Sequence, residues 1–312
     1  MGRSRNVALV GGALAVGALS FIVLRPTPPL APAPAEAAAQ AEVAVDSVRE
    51  PAVAGSFYPS DEAELAETVD GYLAQAKGEK IVGLRALVCP HAGYVYSGPT
   101  AGHCYAQLVG RDFQTVIVLA PSHRHAFDGV SIPRVDAYRT PLGLVRLSPA
   151  VKRYANEPPF VSVAEAHVRE HSLEVQLPFI QRTLRSARLV PMVFGRVAPE
   201  AVAHALAAGI DDETLIVAST DLSHYHPYEI AQQLDRQAID AMVSLNLDAM
   251  RGQHACGKGP VLALMALAKQ RGWKAKLLDY RNSGDTAGTK RSVVGYSAIA
   301  FYSSAPPPKS QG

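Results

Sequence analysis

The chain has 312 residues, 48% of them apolar, and a formal net charge of +2 at pH 7. A chain of this length and composition can bury one large hydrophobic core, or two small ones, and is not expected to be disordered. Its Lys and Arg residues are scattered singly, so it lacks the basic patch of a nucleic-acid-binding protein. Its three cysteines, Cys89, Cys104 and Cys256, are far apart in the sequence, which argues against a zinc knuckle or a disulfide scaffold.

An uncharged apolar segment lies near the start of the chain. Residues 7–24 form a run of 18 residues, which is just long enough to cross a hydrocarbon core of about 30 Å. We predict a membrane anchor or signal segment over residues 1–25, followed by a Pro/Ala-rich linker over residues 26–48. Two arginines precede the run and one follows it, so the positive-inside rule places the domain outside the cytoplasm, in the bacterial periplasm or at the cell surface. Cleavage of the segment would make the protein secreted.

From Pro51 onward, short β-branched runs alternate with segments of helical periodicity, which is typical of a layered α/β sheet. Strands are predicted at residues 84–89, 115–120, 189–194, 215–219, 276–279 and 295–302. We therefore predict an α/β fold with one α/β/α domain around a central mixed sheet over residues 49–305. A disordered tail is predicted at residues 306–312.

The periodicity also predicts six helices. The first begins at Asp61, which caps it, and Glu64 is placed to complete a capping box. The other five are predicted at residues 100–108, 171–184, 199–208, 227–243 and 260–271. Pro178 lies within the helix at 171–184, so that helix is either kinked or begins later.

Polar residues cluster where three of the predicted strands end. His91 follows the first strand, His123 follows the second, and Asp221 and His224 follow the fourth. In open α/β sheets, ligands bind outside the carboxyl ends of the strands, so we expect these clusters to converge on one crevice. Imidazoles together with a carboxylate suit a transition metal such as Zn, Fe, Cu or Ni. The sequence therefore predicts a metal site in this crevice.

Two further histidines, His125 and His226, lie two residues beyond His123 and His224. In an extended backbone they would share a face with those residues, whereas in a turn they need not. We expect both to be loop histidines that face water or support other side chains.

Cys256 lies in a glycine-rich loop, HACGKGP, just before the helix predicted at 260–271. Lys258 and the helix N-terminus are expected to favour thiolate over thiol, and a thiolate is a nucleophile or a metal ligand. The loop is equally suited to bind an anion through its backbone amides. Cys89 ends a buried strand and Cys104 falls in a helix, where cysteine behaves as a small hydrophobe.

Two polar segments leave alternatives open. Glu170, His171 and Glu174, with His167 one turn earlier, are either a solvated helix start or a source of acid/base or substrate-orienting groups in the cleft. Residues 281–285 are expected to form a turn-rich rim.

Six motifs resemble those of the Memo proteins and occur in the same order. They are PAVAGSFYP (51–59), CPHAGYVYSG (89–98), LAPSHRHAFDG (119–129), EHSLEVQLPF (170–179), STDLSHY (219–225) and ACGKGP (255–260). In bacteria and archaea, proteins of this kind are similar to protein B of the AmmeMemoRadiSam system. The resemblance implies a fold similar to that of class III extradiol, non-haem-iron dioxygenases. It further implies a metal held by His91, His123 and Cys256, with Asp221 and His224 lining the same cleft.

These observations lead to three hypotheses about function. The first is a metal-dependent, dioxygenase-like oxidoreductase in which iron or copper acts on a small substrate while Asp221 and His224 shuttle protons. A membrane anchor would separate the domain from a cytosolic radical-SAM partner and place it in an oxidising compartment, which favours copper. The alternative is a non-catalytic module that binds a peptide or a small anion in the same cleft. A zinc-dependent hydrolase is the third hypothesis.

Overall fold

The structure is a computed structural model that describes residues 46–155 and 157–304. The predicted anchor, most of the predicted linker and the predicted tail lie outside these ranges. Across the described ranges, none of the helices combines the length and the apolar character that crossing a membrane requires.

The described residues alternate between strands and helices along the chain. The strands are β1 Val48–Arg49, β2 Leu84–Cys89, β3 Thr115–Pro121, β4 Val130–Ser131, β5 Ala137–Thr140, β6 Gly143–Arg146, β7 Phe160–Val161, β8 Arg188–Phe194, β9 Thr214–Ser219, β10 His224–His226, β11 Lys274–Asn282 and β12 Val293–Tyr302. The α-helices are α1 Glu62–Gln75, α2 Tyr94–Ala106, α3 Val151–Tyr154, α4 Glu165–Val168, α5 Leu177–Thr183, α6 Pro199–Ala207, α7 Tyr228–Val243, α8 Leu247–Arg251, α9 Lys258–Gln270 and α10 Ser283–Thr286.

Four parallel strands form the centre of the main sheet. The strand order is β10-β12-β2-β9-β3-β8-β4-β7, and β11 pairs with β12. Strands β2, β9, β3 and β8 run parallel to one another, while β12 and β4 run antiparallel to their neighbours β2 and β8. The sheet is therefore mixed, and the carboxyl ends of the four central strands meet at one edge. A separate sheet has the order β1-β5-β6.

The central strands bury both faces, because alternate side chains enter two different hydrophobic cores. Ile117 and Leu119 of β3 join the core that contains α6, α7 and α9, whereas Val116 and Val118 join the core that contains α1, α2 and α5. Helices therefore cover both faces of a mixed sheet. This arrangement confirms the predicted α/β/α fold class.

All six predicted strands are present, and β2 has the predicted bounds. The predicted helix start at Asp61 is also present, where the Asp61 side chain accepts the backbone N–H of Glu64 at 3.0 Å. The helix predicted at 100–108 begins earlier, at Tyr94, and includes Pro99.

The helix predicted at 171–184 begins later, which is one of the two alternatives that Pro178 left open. A 3-10 turn occupies Glu174–Gln176, and α5 begins at Leu177 with Pro178 in its first turn. Proline is tolerated there because the first amides of a helix have no partner within the helix. The rim predicted at 281–285 is also more regular than expected, since β11 continues to Asn282 and a capping box between Asn282 and Asp285 starts α10.

Candidate metal centre

His91 lies just beyond the end of β2 and is 2% exposed. Its backbone N–H donates to Asp221 Oδ1 at 2.8 Å, its ring Nδ1 lies 2.8 Å from Ser219 Oγ, and its Nε2 lies 3.2 Å from Cys256 Sγ. Burial, and then the neighbouring His123 and His171, hold the pKa of His91 well below its usual value. The ring is therefore neutral at pH 7, which is the form that binds metals.

His123 follows β3 and is fixed by Glu170. The carboxylate of Glu170 accepts the backbone N–H of His123 at 2.5 Å and its ring Nδ1–H at 2.9 Å. Burial raises the pKa of Glu170, but the hydrogen bonds from His123 outweigh it and hold that pKa at about 2. The carboxylate is thus ionised and accepts the Nδ1–H of His123, which makes Nε2 the ring nitrogen that can face a metal. A histidine oriented by a carboxylate in this way is the usual arrangement around protein-bound metals.

Cys256 lies between α8 and α9, and its loop is fixed to the end of β9. Its Sγ accepts the backbone N–H of Asp221 at 3.2 Å, and the backbone N–H of Gly257 donates to Thr220 Oγ1 at 2.9 Å. These two bonds hold the sulfur beside His91.

The thiolate form expected for Cys256 is wrong for the metal-free chain. Lys258 Nζ donates to the carbonyl of Arg251 at 3.0 Å and so is not directed at the sulfur. Burial, and then the nearby Asp221, raise the pKa of the Cys256 thiol to about 12. A cation at Sγ would reverse this balance, because a coordinating thiol loses its proton.

Asp221 and His224 lie beyond the end of β9, in the same region. Asp221 is 4% exposed, and its Oδ2 is 4.0 Å from His91 Nε2. Burial raises the pKa of Asp221 to about 6. His224 Nδ1 donates to the carbonyl of Leu222 at 2.9 Å, which leaves its Nε2 free. The residues singled out at the ends of β2, β3 and β9 are therefore brought together.

His171 is an additional member of the cluster that the sequence analysis did not identify as a ligand. Its ring centroid is 4.7 Å from that of His123, 5.5 Å from that of His91 and 4.8 Å from that of Phe57. Burial lowers the pKa of His171 to about 4. Glu170 and His171 thus face the cluster, which excludes the solvated helix start for these two residues.

Glu174 and His167, which lie near Glu170 and His171 in the sequence, instead form hydrogen bonds that stabilise the fold. Glu174 is fully buried and accepts the backbone N–H groups of Ala52 and Val53 at 2.8 and 3.0 Å. His167 is hydrogen-bonded at both ring nitrogens, to Tyr138 and Ser131.

Among the residues that the structure describes, three groups of side chains have donor atoms within 4.8 Å of one another: His91, His123 and Cys256; His123, Glu170 and His171; and Asp221, His224 and Cys256. Neither His125 nor His226 belongs to any of them, as expected from the sequence.

In the group of His91, His123 and Cys256, the sulfur and both imidazoles are suitable ligands. Metal bonds of about 2.0 Å to nitrogen and 2.3 Å to sulfur place the two donor atoms roughly 3.0–3.5 Å apart for angles between about 90° and 109°. The observed 3.2 Å between His91 Nε2 and Cys256 Sγ fits this range.

A cavity of about 300 Å³ opens beside Cys256, between the ends of β3 and β8 and the start of α9. Its lining includes Phe127 and Phe194 as apolar walls and Arg196 as a cationic group. A larger cavity of about 750 Å³ lies against β1 and contains no residue of the three donor groups. The smaller cavity is thus placed to admit a ligand to the sulfur.

The chain is similar to proteins of known family. A family model described as "Memo-like protein" matches residues 49–300. A MEMO1 family protein of Methanothermobacter thermautotrophicus is 35% identical over 276 residues, which cover 81% of this chain and 100% of that protein. MEMO1 family proteins of Sulfolobus acidocaldarius and Saccharolobus solfataricus are each 35% identical, over 282 and 281 residues, and the matches cover 81% of this chain and 99% of each relative.

Proposed function

This chain belongs to the Memo family, and on that premise we propose that it is a metal-dependent oxidoreductase with iron or copper held by His91, His123 and Cys256. The observation that carries the proposal is the convergence of two imidazoles and one sulfur from distant parts of the chain. Nitrogen and sulfur donors together suit copper or iron. Such an ion, when bound, supplies one-electron chemistry to a small substrate or to dioxygen.

Asp221 and His224 are the proposed catalytic residues, and their role is to move protons. The pKa of Asp221, raised to about 6 by burial, allows its carboxyl group both to hold and to release a proton near neutral pH. His224 offers a free Nε2, because its Nδ1 is bonded to the backbone. Cys256 lies within 4.8 Å of both residues, so a proton leaving the thiol has two acceptors at hand.

We also propose that the domain over residues 49–305 works outside the cytoplasm, tethered by the apolar segment over residues 7–24 or secreted after its cleavage. The support is the length of that segment and the arginines on either side of it. An oxidising location favours copper over a metal that needs a reduced environment. Fractionation of cells that express the full chain tests this location, and recovery in the cytosol would refute it.

Metal analysis of the full chain, purified without oxygen, tests the proposed site. We expect about one iron or copper ion per chain, lost in His91→Ala, His123→Ala and Cys256→Ser. His125→Ala and Cys104→Ala are matched controls, because neither residue belongs to a donor group, and they should keep the metal. Oxygen uptake with small phenolic and thiol substrates should follow the metal content. The proposal would be refuted if the purified protein contained no metal and His91→Ala altered no redox assay.

A binding module without turnover is the second candidate. It is favoured by the cavity beside Cys256, which combines two phenylalanine walls with Arg196, whose guanidinium also pairs with Asp128 at 2.8 Å. This candidate predicts that binding of a peptide or small anion survives chelation of the metal and survives Cys256→Ser. A zinc-dependent hydrolase would instead be active without oxygen.

A further inference from the structure

Ser219, the last residue of β9, joins His91 to a chain of buried polar side chains. Ser219 is fully buried, and its Oγ lies within hydrogen-bond distance of three partners. These are the carbonyl of Ser172 at 2.7 Å, Nε2 of Gln176 at 2.8 Å and Nδ1 of His91 at 2.8 Å.

The number of protons available fixes the direction of these bonds. The Ser172 carbonyl can only accept, so the single hydroxyl proton of Ser219 is donated to it. The Gln176 amide is oriented from both ends, since its Oε1 accepts the hydroxyl of Tyr105 at 2.7 Å and its Nε2 donates to the carbonyl of Pro90 at 2.9 Å. Gln176 therefore donates its second N–H to Ser219. With its own proton committed, Ser219 can only accept from the ring of His91.

We infer that Ser219 sets the tautomer of His91, with the proton on Nδ1 and the Nε2 lone pair directed at Cys256. In free histidine the Nε2–H tautomer predominates, so the protein selects the less common form. His91 and His123 thus both donate Nδ1–H, to a neutral hydroxyl in one case and to a carboxylate in the other. Ser219 is a positioning residue, and Gln176 and Tyr105 hold it in place.

Burial makes this arrangement stable against rearrangement. Ser219, Tyr105 and Gln176 are at most 1% exposed, so no bulk water replaces a broken bond. Rotation of the Ser219 hydroxyl toward His91 would leave the Ser172 carbonyl without this donor, and a buried unpaired polar group is costly. The tautomer is therefore a property of the metal-free chain.

Nitrogen-15 NMR of the full chain, metal-free and labelled at histidine, tests the inference directly. His91 is assigned by the signals that disappear in His91→Gln. We expect Nδ1 to show the shift of a protonated ring nitrogen and Nε2 that of an unprotonated one. In Ser219→Ala the two tautomers should mix, and Ser219→Thr, which keeps the hydroxyl, should restore the original pattern. A wild-type ring protonated on Nε2 would overturn the inference even if no variant folds.

Ser297→Ala is the matched control. Ser297 is a fully buried serine of β12 whose hydroxyl has no hydrogen-bond partner within residues 46–155 and 157–304, so its removal should leave the His91 spectrum unchanged. An unchanged spectrum in Ser219→Ala as well would refute the role of Ser219.

A second measurement rests on the proposed function. Loss of a group that orients a metal-bound histidine typically weakens metal affinity by roughly 10–100-fold. We expect Ser219→Ala to show such a loss in a competition titration with a chelator, and Ser297→Ala to show none. Equal affinities would remove any role of Ser219 in metal binding. If the wild type binds no metal, the proposed function fails while the tautomer assignment stands on the NMR result.

Discussion

Gly257, directly after Cys256, should be the most sensitive position of the Cys256 loop. A Cβ at this position would lie 2.2 Å from the carbonyl oxygen of Ser219 and 2.7 Å from Cβ of Thr220. Ser219 is the last residue of β9 in the centre of the sheet and Thr220 directly follows it, so the loop has to yield. Restoring an ordinary contact of 3.4 Å requires a shift of about 1 Å, and overpacking of this kind costs roughly 1–3 kcal/mol. We expect Gly257→Ala to move the sulfur away from His91.

Gly259→Ala is the matched control, two residues further along α9. Its Cβ would meet Phe194 Cδ1 at 3.5 Å, an ordinary contact, and alanine is favoured over glycine in a helix by roughly 0.5–1 kcal/mol. Thermal unfolding and metal content of both variants give the comparison. In a domain of this size each kcal/mol shifts Tm by roughly 2–4 °C. A Gly257→Ala protein with wild-type Tm and metal content would refute the close packing of the loop against β9.

Two further predictions concern buried carboxylates. Glu174→Gln removes the charge that pairs with buried Arg49 and should cost roughly 3–5 kcal/mol in urea unfolding, whereas Arg182→Ala, in an exposed pair with Asp70, should cost less than about 1 kcal/mol. Equal losses of unfolding free energy in the two variants would contradict the expectation that the buried pair contributes more than the exposed pair. In the metal-free chain, the pKa of Asp221 rises from its ordinary 3.8 to about 6. The protonated carboxyl group therefore stabilises the folded state fully below pH 4, and this stabilisation is lost as the pH rises through 6. Asp221→Asn should therefore gain stability relative to the wild type between pH 4 and 6, by roughly 3 kcal/mol in all. A constant difference across that range would show that the burial of this carboxyl group has no such effect.

The fold could be predicted because its central strands are buried on both faces. Such strands appear in the sequence as continuous apolar runs, and β2, β3, β8 and β9 were located within one residue at each end. The short strands, such as β10 and β4, were not predicted, because two or three residues carry no periodicity. The helix at 171–184 was misplaced because its first residues are held by tertiary hydrogen bonds, such as those of Glu174, that local patterns do not reveal.

The site was predictable to the same extent as the strand ends that carry it. His91, His123, Asp221 and His224 follow directly from the rule that parallel strands present their carboxyl ends at one edge. The side chains that hydrogen-bond to these residues could not be predicted from that rule. Glu170 lies 47 residues from His123 along the chain. Ser219 was identified only as the end of an apolar strand. The ionisation of Cys256 was mispredicted because the sequence shows neither the burial of the thiol nor its nearness to Asp221, which lies 35 residues away along the chain.

X-ray absorption at the edge of the bound metal is the decisive test of the proposed ligand set, because it reports the donor atoms themselves. We predict one sulfur at about 2.3 Å together with imidazole nitrogens at about 2.0 Å. The sulfur contribution should vanish in Cys256→Ser and remain in Cys104→Ala. A spectrum with nitrogen and oxygen donors only, or a sulfur signal that survives Cys256→Ser, would contradict a metal shared by His91, His123 and Cys256.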